Sequence, residues 1–343
     1  MTNNDFYNLS NSEKEAIFLA ISNETGMPAF AVEKDWWVTQ TLAVIFQMDV
    51  ASHLVFKGGT SLSKAWKLIQ RFSEDIDLAI DRDFLGFGGD LSKSKRTTLR
   101  KVAGEYTTGP FFEKLQNSFS EKGFENVTLT VVPATDSDQD PRIIEIHYPN
   151  IISTPGYVLP KVQIELGCRS LREPYTLRTF GSLVDEIYQG RDFAVPFINI
   201  PTVDAERTFL EKLFLLHEEF HRPTDRIRVD RLSRHLYDVH HLSRREIADR
   251  AISNKELYQT IVSHRFTFSR VGNVDYNLHN PKTLNPFPPD AVLEAWERDY
   301  KKMLEEMIYE ENAPTFEHLS ISLRQLKEKL ASLEWEFTLE FPH

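Results

Sequence analysis

The chain has 343 residues and a formal net charge of -11 at pH 7. Hydrophobic residues make up 41% of it and charged residues 27%, a balance typical of a folded protein with a buried core. The length allows two packed units. The acidic charge argues against broad, sequence-independent coating of nucleic acid, because phosphate contacts need clustered lysine and arginine.

Nothing in the sequence has the pattern of a membrane or export signal. No apolar run is long enough to cross a bilayer, and the opening residues 1–5 are polar and acidic rather than basic and then apolar. We therefore expect a cytoplasmic protein with no membrane partner. Cys168 is the single cysteine, and its position at a strand end favours packing over nucleophilic chemistry.

Helix and strand patterns alternate through the first 200 residues. Helical periodicity covers 12–23, 29–47, 60–68 and 92–122. Strand patterns cover 53–56, 75–80, 127–132, 142–148 and 159–166, with 127–132 and 142–148 forming a hairpin. This order predicts an α+β fold in which helices flank a mixed sheet.

The chain changes character near Ile200. Pro196 and Pro201 punctuate it there, and nearly everything after Asp204 has a helical pattern except a loop at 271–289. The longer helical candidates are 205–220, 226–242, 290–308 and 316–335. We therefore predict two domains, 1–200 with the sheet and 201–343 as a helical bundle.

Two glycines follow the first predicted strand. Gly58 and Gly59 allow the backbone to turn closely, and the helix that begins behind them would direct its amide groups at an anion. Thr60 and Ser61 add hydroxyl groups to the same turn. The pattern predicts a phosphate-binding turn that is not a Walker loop, because the Gly-Lys-Ser/Thr ending of that loop is missing.

Asp75 and Asp77 lie in the next predicted strand. Side chains alternate along a strand, so the two carboxylates share one face while Ile76 and Leu78 face the core. Such a pair is often an ordinary solvated strand face. Two carboxylates held this close after a glycine turn favour a cation instead, and magnesium prefers carboxylates together with water and phosphate oxygens.

A third carboxylate would complete such a site, and the sequence offers two. Glu165 shares one face of its strand with Lys161 and Gln163, while Glu145 lies in a similar apolar strand. Spacing alone does not decide between them. Glu165 is preferred because Lys161 beside it would serve a phosphate.

These motifs resemble one known family. Phe56-Lys57-Gly58-Gly59-Thr60-Ser61 and Arg71-Phe72-Ser73-Glu74-Asp75-Ile76-Asp77-Leu78 are similar to the motifs of nucleotidyltransferases of the AbiEii/AbiGii toxin type. Val32-Glu33-Lys34-Asp35-Trp36-Trp37-Val38 resembles a further stretch of that family. The resemblance implies a polymerase-beta-like nucleotidyltransferase fold, a nucleoside triphosphate (NTP) substrate and a place in toxin-antitoxin or abortive-infection systems. Because some relatives modify tRNA, it also implies RNA as the leading acceptor.

The resemblance extends more loosely to the region from Lys161 to about Leu242. Family members carry a lysine on a helix after the sheet and an Asp-rich helix beyond it, and the counterparts here are Lys212 and Asp238. His235 stands where the first aspartate of that second motif is expected, so no role that depends on that aspartate is carried over. Lys212 and Asp238 are also ordinary residues for the surface of an amphipathic helix.

Together the motifs predict two-metal nucleotidyl transfer. Asp75 and Asp77 would hold two Mg²⁺ ions, and Glu165 would ligate the ion on the acceptor side and help to accept the proton. Gly58, Gly59 and Ser61 would bind the β- and γ-phosphates. The groups expected to offset charge on the pyrophosphate leaving group are Lys64, Lys212 and Arg71.

Two clusters of basic residues bear on an RNA acceptor. The first, between Lys93 and Lys101, fits a solvated helix face as well as it fits RNA. The second has aromatic or histidine residues between its members and favours RNA; it comprises Arg222, Arg226, Arg228, Arg231, Arg234, Arg244 and Arg245. An acidic surface elsewhere would receive a basic protein partner such as an antitoxin.

Three rival functions remain open from the sequence. His217-Glu218-Glu219-Phe220-His221 fits His-Glu-x-x-His, the pattern of a zinc metalloprotease, although Pro223 follows closely and no third ligand stands out. The chain would alternatively be a degenerate nucleotidyltransferase that only binds nucleotide. A toxin that acts chiefly through protein contacts is the third reading.

Overall fold

The computed structural model describes residues 5–73, 75–154 and 159–342. The expectation of no export leader depends partly on residues 1–4, and these residues lie outside the described part of the chain. The chain divides into two compact units: Met1–Trp66 with Phe72–Val203, and Lys67–Arg71 with Asp204–His343. The five residues before Phe72 thus belong to the second unit, which the sequence pattern did not predict.

In the first unit, helices of different lengths alternate with the strands along the chain. Its α-helices are α1 (Asp5–Asn8), α2 (Asn11–Thr25), α3 (Ala29–Ile45), α4 (Gly58–Lys64), α5 (Lys93–Tyr106), α6 (Phe112–Glu121) and α7 (Leu183–Ile187). A π-helical turn, Thr107–Phe111, joins α5 to α6 and contains Pro110. Helix α2 begins with a capping box, in which the Ser10 side chain and Glu13 satisfy each other's backbone amides.

Seven strands form one mixed sheet within the described residues. They are β1 (Leu54–Lys57), β2 (Asp75–Ile80), β3 (Thr128–Val131), β4 (Arg142–His147), β5 (Lys161–Gly167), β6 (Tyr175–Phe180) and β7 (Ile198–Val203). Their order across the sheet is β3-β4-β5-β2-β1-β7-β6. Strand β2 runs antiparallel to β1 and parallel to β5, so it lies centrally between two strands that are distant from each other in sequence.

The centre of the sheet has one strictly apolar face. Ile76 and Leu78 of β2 and Ile164 of β5 are fully buried, whereas Asp75 and Asp77 retain partial exposure. This alternation is the one that the sequence predicted, and it fixes the register, since a one-residue slip would bury the aspartates and expose the core residues. The mixed α/β architecture expected from the sequence is confirmed.

The end of the first unit differs from the sequence expectation. Pro196 and Pro201 predict a break in the chain, but 198–203 forms β7, which pairs with β1 and β6. Pro201 lies opposite Leu177 of the edge strand β6. A proline is compatible with a strand when its missing amide is not needed by a neighbour, so composition alone misjudged this segment. The predicted boundary after residue 200 falls inside β7.

The second unit is helical in its described residues. Its α-helices are α8 (Ala205–Phe220), α9 (Ser233–Ser243), α10 (Glu246–Ser253), α11 (Lys255–Phe268), α12 (Asp290–Glu306) and α13 (Phe316–Ala331). Helix α8 packs against α9, α10 and α11, and α9 also packs against α12 and α13. The predicted helix at 226–242 begins only at Ser233, because Arg231 has φ of 60° in the left-handed region, which interrupts a helix.

The His-Glu-x-x-His stretch at the end of α8 is tied to other parts of the second unit. Glu218 accepts hydrogen bonds from Arg265 Nε at 2.8 Å and from His279 Nε2 at 3.2 Å. The Asn285 amide donates to His217 Nδ1 at 3.0 Å. The motif therefore fastens α11 and the loop that follows it to α8.

These contacts leave the zinc-protease alternative without structural support. Burial opposes ionisation of Glu218, but Arg265 and His279 outweigh it and lower its pKa to about 2, too low for a general base at neutral pH. Glu219 is likewise buried and accepts hydrogen bonds from the Arg228 side chain and backbone. No group of three or more His, Cys, Asp or Glu side chains able to hold a metal ion occurs among the described residues.

Candidate functional site

Strand register brings two predicted carboxylates side by side. Asp77 of β2 is the direct partner of Glu165 in the parallel β5 strand, and Asp75 is the partner of Gln163 two residues earlier. Because directly paired residues point to the same face of a sheet, Asp75, Asp77 and Glu165 share one face. The sequence supplied the alternation within each strand, and the fold supplies the pairing between them.

The three carboxylates interact electrostatically. Burial, followed by the negative charges of Asp77 and Asp75, raises the pKa of Glu165 to about 7. The Lys57 ammonium and a hydrogen bond from Gln163 Nε2 to Glu165 Oε1, at 3.1 Å, act in the opposite direction without cancelling the shift. This face of the sheet therefore carries more negative charge than its own cations neutralise.

Lys57 is a site residue to which the sequence analysis assigned no role. It is the direct partner of Asp77 in the antiparallel β1 strand, and its Nζ lies 3.9 Å from Asp77 Oδ1. Lys57, Asp77 and Glu165 thus form one row across three strands. In the sequence, the sign that Lys57 belongs to the site is its position at the end of a strand directly before the two glycines. Only the strand register shows that Lys57 faces a carboxylate.

The glycine turn is shaped by the Asp77 side chain. Gly58 has φ of 79°, a conformation that L side chains rarely adopt. A Cβ atom at this position would lie 1.9 Å from Asp77 Oδ2, which is far inside van der Waals contact. Gly58 is therefore required both by the backbone turn and by the carboxylate that fills the space beside it.

The two hydroxyl groups after the glycines make bonds within the turn. Thr60 Oγ1 donates to the backbone carbonyl of Asp75 and lies 2.9 Å from Ser73 Oγ. Ser61 Oγ donates to the Gly58 carbonyl at 2.9 Å, and both side chains are buried. These bonds hold the turn against the start of β2, so Thr60 and Ser61 organise the site in this structure.

Lys64 has partners other than those predicted for it. Its Nζ lies 2.5 Å from Asp35 Oδ1 and donates to the Gly181 carbonyl at 2.8 Å. Asp35 Oδ2 in turn accepts a hydrogen bond from the Leu183 amide at the start of α7. A phosphate role for Lys64 would require this ion pair to break.

Asp35 belongs to a run of three buried charged residues in α3. Glu33 accepts hydrogen bonds from the backbone amides of Ile151 and Ile152, at 2.8 and 3.0 Å. Lys34 donates to the Leu159 carbonyl and lies over the Phe72 ring. The run therefore fastens α4, through Asp35, and the described ends of the connection between β4 and β5, through Glu33 and Lys34, to α3.

Glu145, the competing third carboxylate, lies opposite Gln163 rather than beside an aspartate. Its Oε1 lies 2.5 Å from Lys161 Nζ, and its Oε2 lies 3.2 Å from His147 Nε2. Lys161, which was expected to support Glu165 by serving a phosphate, is thus paired with Glu145. The register, and not the lysine, is the observation that favours Glu165.

Three other predicted residues form a separate buried cluster in the second unit. Arg71 donates from Nε and Nη2 to the two oxygens of Asp238, at 2.7 and 2.8 Å, and Lys212 Nζ lies 2.8 Å from Asp238 Oδ2. Asp238 is fully buried, and Arg71 and Lys212 nearly so. Burial opposes ionisation of Asp238, but both cations outweigh it and hold its pKa far below the usual range. The surface-residue reading of Lys212 and Asp238 is therefore wrong.

His235, which departs from the family pattern, lies beside this cluster. Its Nδ1 lies 3.5 Å from Lys212 Nζ, and burial together with the nearby cations lowers its pKa well below the usual value. His235 is neutral at pH 7 as a result. Asp238 remains the one carboxylate in contact with both Arg71 and Lys212 among the described residues.

The donor set of Asp75, Asp77 and Glu165 fits a hard divalent cation. All three are carboxylates on one face, and their mutual repulsion is the charge environment that such an ion relieves. They do not, however, close to ligand distances as a group of three in the described part of the chain. Metal binding would therefore draw these side chains together.

Part of the predicted RNA-binding arginine cluster is engaged within the second unit. Arg222 and Arg228 form ion pairs with the buried Glu219, at 3.2 and 2.7 Å. Arg245 donates to the Leu68 carbonyl. Arg226 and Arg244 are exposed.

The sequence matches one known protein family. A family model described as nucleotidyl transferase AbiEii toxin, type IV toxin-antitoxin system, matches residues 41–320. A comparison with curated proteins finds no match. No helix in the described part of the chain is both long and apolar enough to cross a membrane.

Two solved structures resemble the chain. The nucleotidyltransferase toxin MenT4 from Mycobacterium tuberculosis is 17% identical, with 94% of this chain and 98% of that chain covered and a TM-score of 0.47. JHP933 from Helicobacter pylori is 14% identical, with 85% and 90% covered and a TM-score of 0.37. The family model spans most of the chain and includes the glycine turn, both strand aspartates, Glu165, Lys212 and Asp238. The chain belongs to the AbiEii family of nucleotidyl transferase toxins.

Proposed function

We propose that the protein transfers a nucleotidyl group from an NTP to a hydroxyl group of an RNA acceptor, tRNA in the first instance. The observation that carries the proposal is the row of Asp77 and Glu165 on adjacent strands, with Asp75 on the same face and with the pKa of Glu165 raised by burial and by both aspartates. Family membership supports the reaction class. The NTP, the RNA acceptor and the metal dependence are parts of the proposal.

Asp75, Asp77 and Glu165 would hold two Mg²⁺ ions. When bound, magnesium supplies charge neutralisation at the triphosphate and lowers the pKa of a coordinated hydroxyl group. Glu165 would ligate the ion on the acceptor side and help to accept the proton of the acceptor hydroxyl. Asp75 and Asp77 orient the site through the strand that carries them.

The glycine turn would receive the β- and γ-phosphates. The Ser61 hydroxyl holds the Gly58 carbonyl, and the amide groups at the start of α4 would bind these phosphates. Lys57, beside Asp77, is the nearest described ammonium group to this carboxylate and would face the phosphates from β1. Lys64 is proposed to hold α4 through Asp35 rather than to bind substrate directly.

Arg71 and Lys212 are proposed to offset charge on the pyrophosphate leaving group, as the sequence motifs predict. Asp238 would then act as a positioning residue, since both of its oxygens bind these two cations. We further propose that the protein is the toxin partner of an antitoxin, and that it acts in the cytoplasm.

Replacement of Asp77 by Asn tests the transfer reaction. Purified protein is incubated with labelled NTPs, Mg²⁺ and total RNA, and the labelled acceptor is quantified. Asp77→Asn removes one ligand charge, so we expect at least about 100-fold slower labelling. Asp90→Asn, in an exposed loop, serves as the matched control and should label at the normal rate. Equal labelling by the Asp77 and Asp90 variants would remove the assignment.

The raised pKa of Glu165 predicts a pH-dependent stability of the metal-free protein. Its folded pKa of about 7 exceeds the unfolded value near 4, so its ionisation opposes folding, and stability falls as the pH rises from 5 to 8. The loss is at most about 3 kcal/mol. Glu165→Gln should flatten this dependence in urea unfolding with EDTA.

Glu105→Gln, on an exposed face of α5, is the control for this measurement and should keep the wild-type dependence on pH. If Glu165→Gln and wild type lose stability in parallel between pH 5 and 8, the pKa of Glu165 is not raised in the folded protein.

Replacement of Asp238 by Asn tests the buried cluster. The change leaves Arg71 and Lys212 buried without a counter-charge, so we expect a loss of about 3–5 kcal/mol in the free energy of unfolding. Urea denaturation followed by circular dichroism measures it. Asp225→Asn, an exposed change in the same unit, should stay within about 0.5 kcal/mol of wild type. An Asp238 variant as stable as the Asp225 variant would contradict the cluster.

A further inference from the structure

The second unit contains a polar cavity that the proposed transfer reaction does not use. It has a volume of about 510 Å³ and lies between the end of α9, the segment before α13 and the first turns of α13. Pockets for small ligands commonly measure 300–1,000 Å³, so this one suits a molecule of about mononucleotide size.

The cavity is lined by an excess of groups that carry or accept positive charge. Arg244 and the imidazoles of His240, His241 and His318 line it, against one carboxylate, Glu310. That carboxylate is already engaged, because Glu310 Oε2 accepts a hydrogen bond from the Tyr237 hydroxyl at 2.8 Å and lies 3.2 Å from His241 Nε2. Arg244 and Glu310 thus balance each other in charge, and protonation of one of the imidazoles would give the lining a net positive charge.

His240 gives a second, independent observation. His240 is 2% exposed, and its Nδ1 atom has no hydrogen-bond partner among the described residues. A buried polar atom without a partner costs free energy, and such atoms are rare unless a ligand or ion satisfies them. In the neutral imidazole this nitrogen is an acceptor, so a donor group of a ligand, or a proton shared with a ligand oxygen, would satisfy it.

The pKa of His240 is consistent with a cavity that would bind an anion. Burial, followed by His241, Arg244 and His318, lowers its pKa to about 4. Neighbouring positive charge thus disfavours its protonation in the absence of a ligand. A bound anion would reverse this effect and raise the His240 pKa.

The start of α13 contributes to the same environment. The helix has 16 residues and begins after the cap Thr315, and Pro314 and His318 on either side of that cap line the cavity. The positive end of the helix dipole lies at this terminus and favours a negative group.

We propose that this cavity binds a phosphate-bearing ligand of mononucleotide size. Arg244 and His240 would contact the phosphate, and the side-chain amides of Asn312 and Gln325 would bind the remainder of the ligand. A cluster of metal ligands does not explain the histidines, since no such group occurs among the described residues. The proposal stands independently of the transfer reaction.

The test is isothermal titration calorimetry with EDTA present and uridine monophosphate as the probe. We expect binding of uridine monophosphate and at least about 10-fold weaker binding of uridine, which lacks the phosphate. Arg244→Gln should weaken the binding of the monophosphate by at least about 10-fold. Arg298→Gln removes an exposed arginine of α12 that lies outside the cavity, so its affinity should equal that of wild type.

Further measurements distinguish an RNA end from a free nucleotide as the ligand, and this cavity from the strand carboxylates as the binding site. A short RNA with a 5′-phosphate that competes with uridine monophosphate, when its 5′-hydroxyl counterpart does not, identifies an RNA end; failure of both to compete identifies a free nucleotide. Asp77→Asn should retain the binding, which separates this cavity from the strand carboxylates. Equal affinity for uridine and its monophosphate, or no effect of Arg244→Gln, overturns the proposal.

The dependence on pH provides an independent readout. The titratable and charged groups that face the cavity are His240, His241 and Arg244 from α9, Glu310 from the segment before α13, and His318 from α13. Because an anion favours protonated imidazole, affinity should rise as the pH falls from 8 to 6, and the His240 pKa measured by NMR should rise on saturation. An unchanged His240 pKa in the saturated protein contradicts the assignment.

Discussion

The central constraint in the first unit is the repulsion among three carboxylates on adjacent strands. Asp77 and Glu165 are paired directly in a parallel register, Asp75 shares their face, and the apolar opposite face prevents any of them from turning away without breaking the sheet. Burial, together with this repulsion, raises the pKa of Glu165 to about 7, which is a measurable consequence of the arrangement. The Lys57 ammonium offsets part of the negative charge of the three carboxylates. The negative charge that remains would favour a bound cation.

Buried polar contacts keep this arrangement in place. Gly58 leaves room for the Asp77 carboxylate, and Thr60 ties the glycine turn to the Asp75 backbone. Asp35 of α3 then holds Lys64 at the other end of α4. A motif that looks like a set of ligands in sequence thus consists partly of residues that hold the turn and partly of the strand carboxylates.

Much of the fold could be predicted because its signals are local. Alternation in 75–80 and the helical pattern of 205–220 depend on near neighbours, and both elements occur as expected. Pairing of β2 with β5 joins segments more than 80 residues apart, so no local pattern reveals that Asp77 faces Glu165. The same limit hid the partners of Lys64 and the pairing of Arg71 with Asp238, and the prolines of β7 gave a misleading local signal.

The most direct test of the central claim is divalent-ion binding, measured by electron paramagnetic resonance with Mn²⁺ in place of Mg²⁺. Wild-type protein should bind Mn²⁺, and Asp75→Asn should weaken that binding by at least about 10-fold, because one of three converging charges is lost. Asp90→Asn is the matched control. Identical Mn²⁺ binding by wild type and the Asp75 variant would contradict the account.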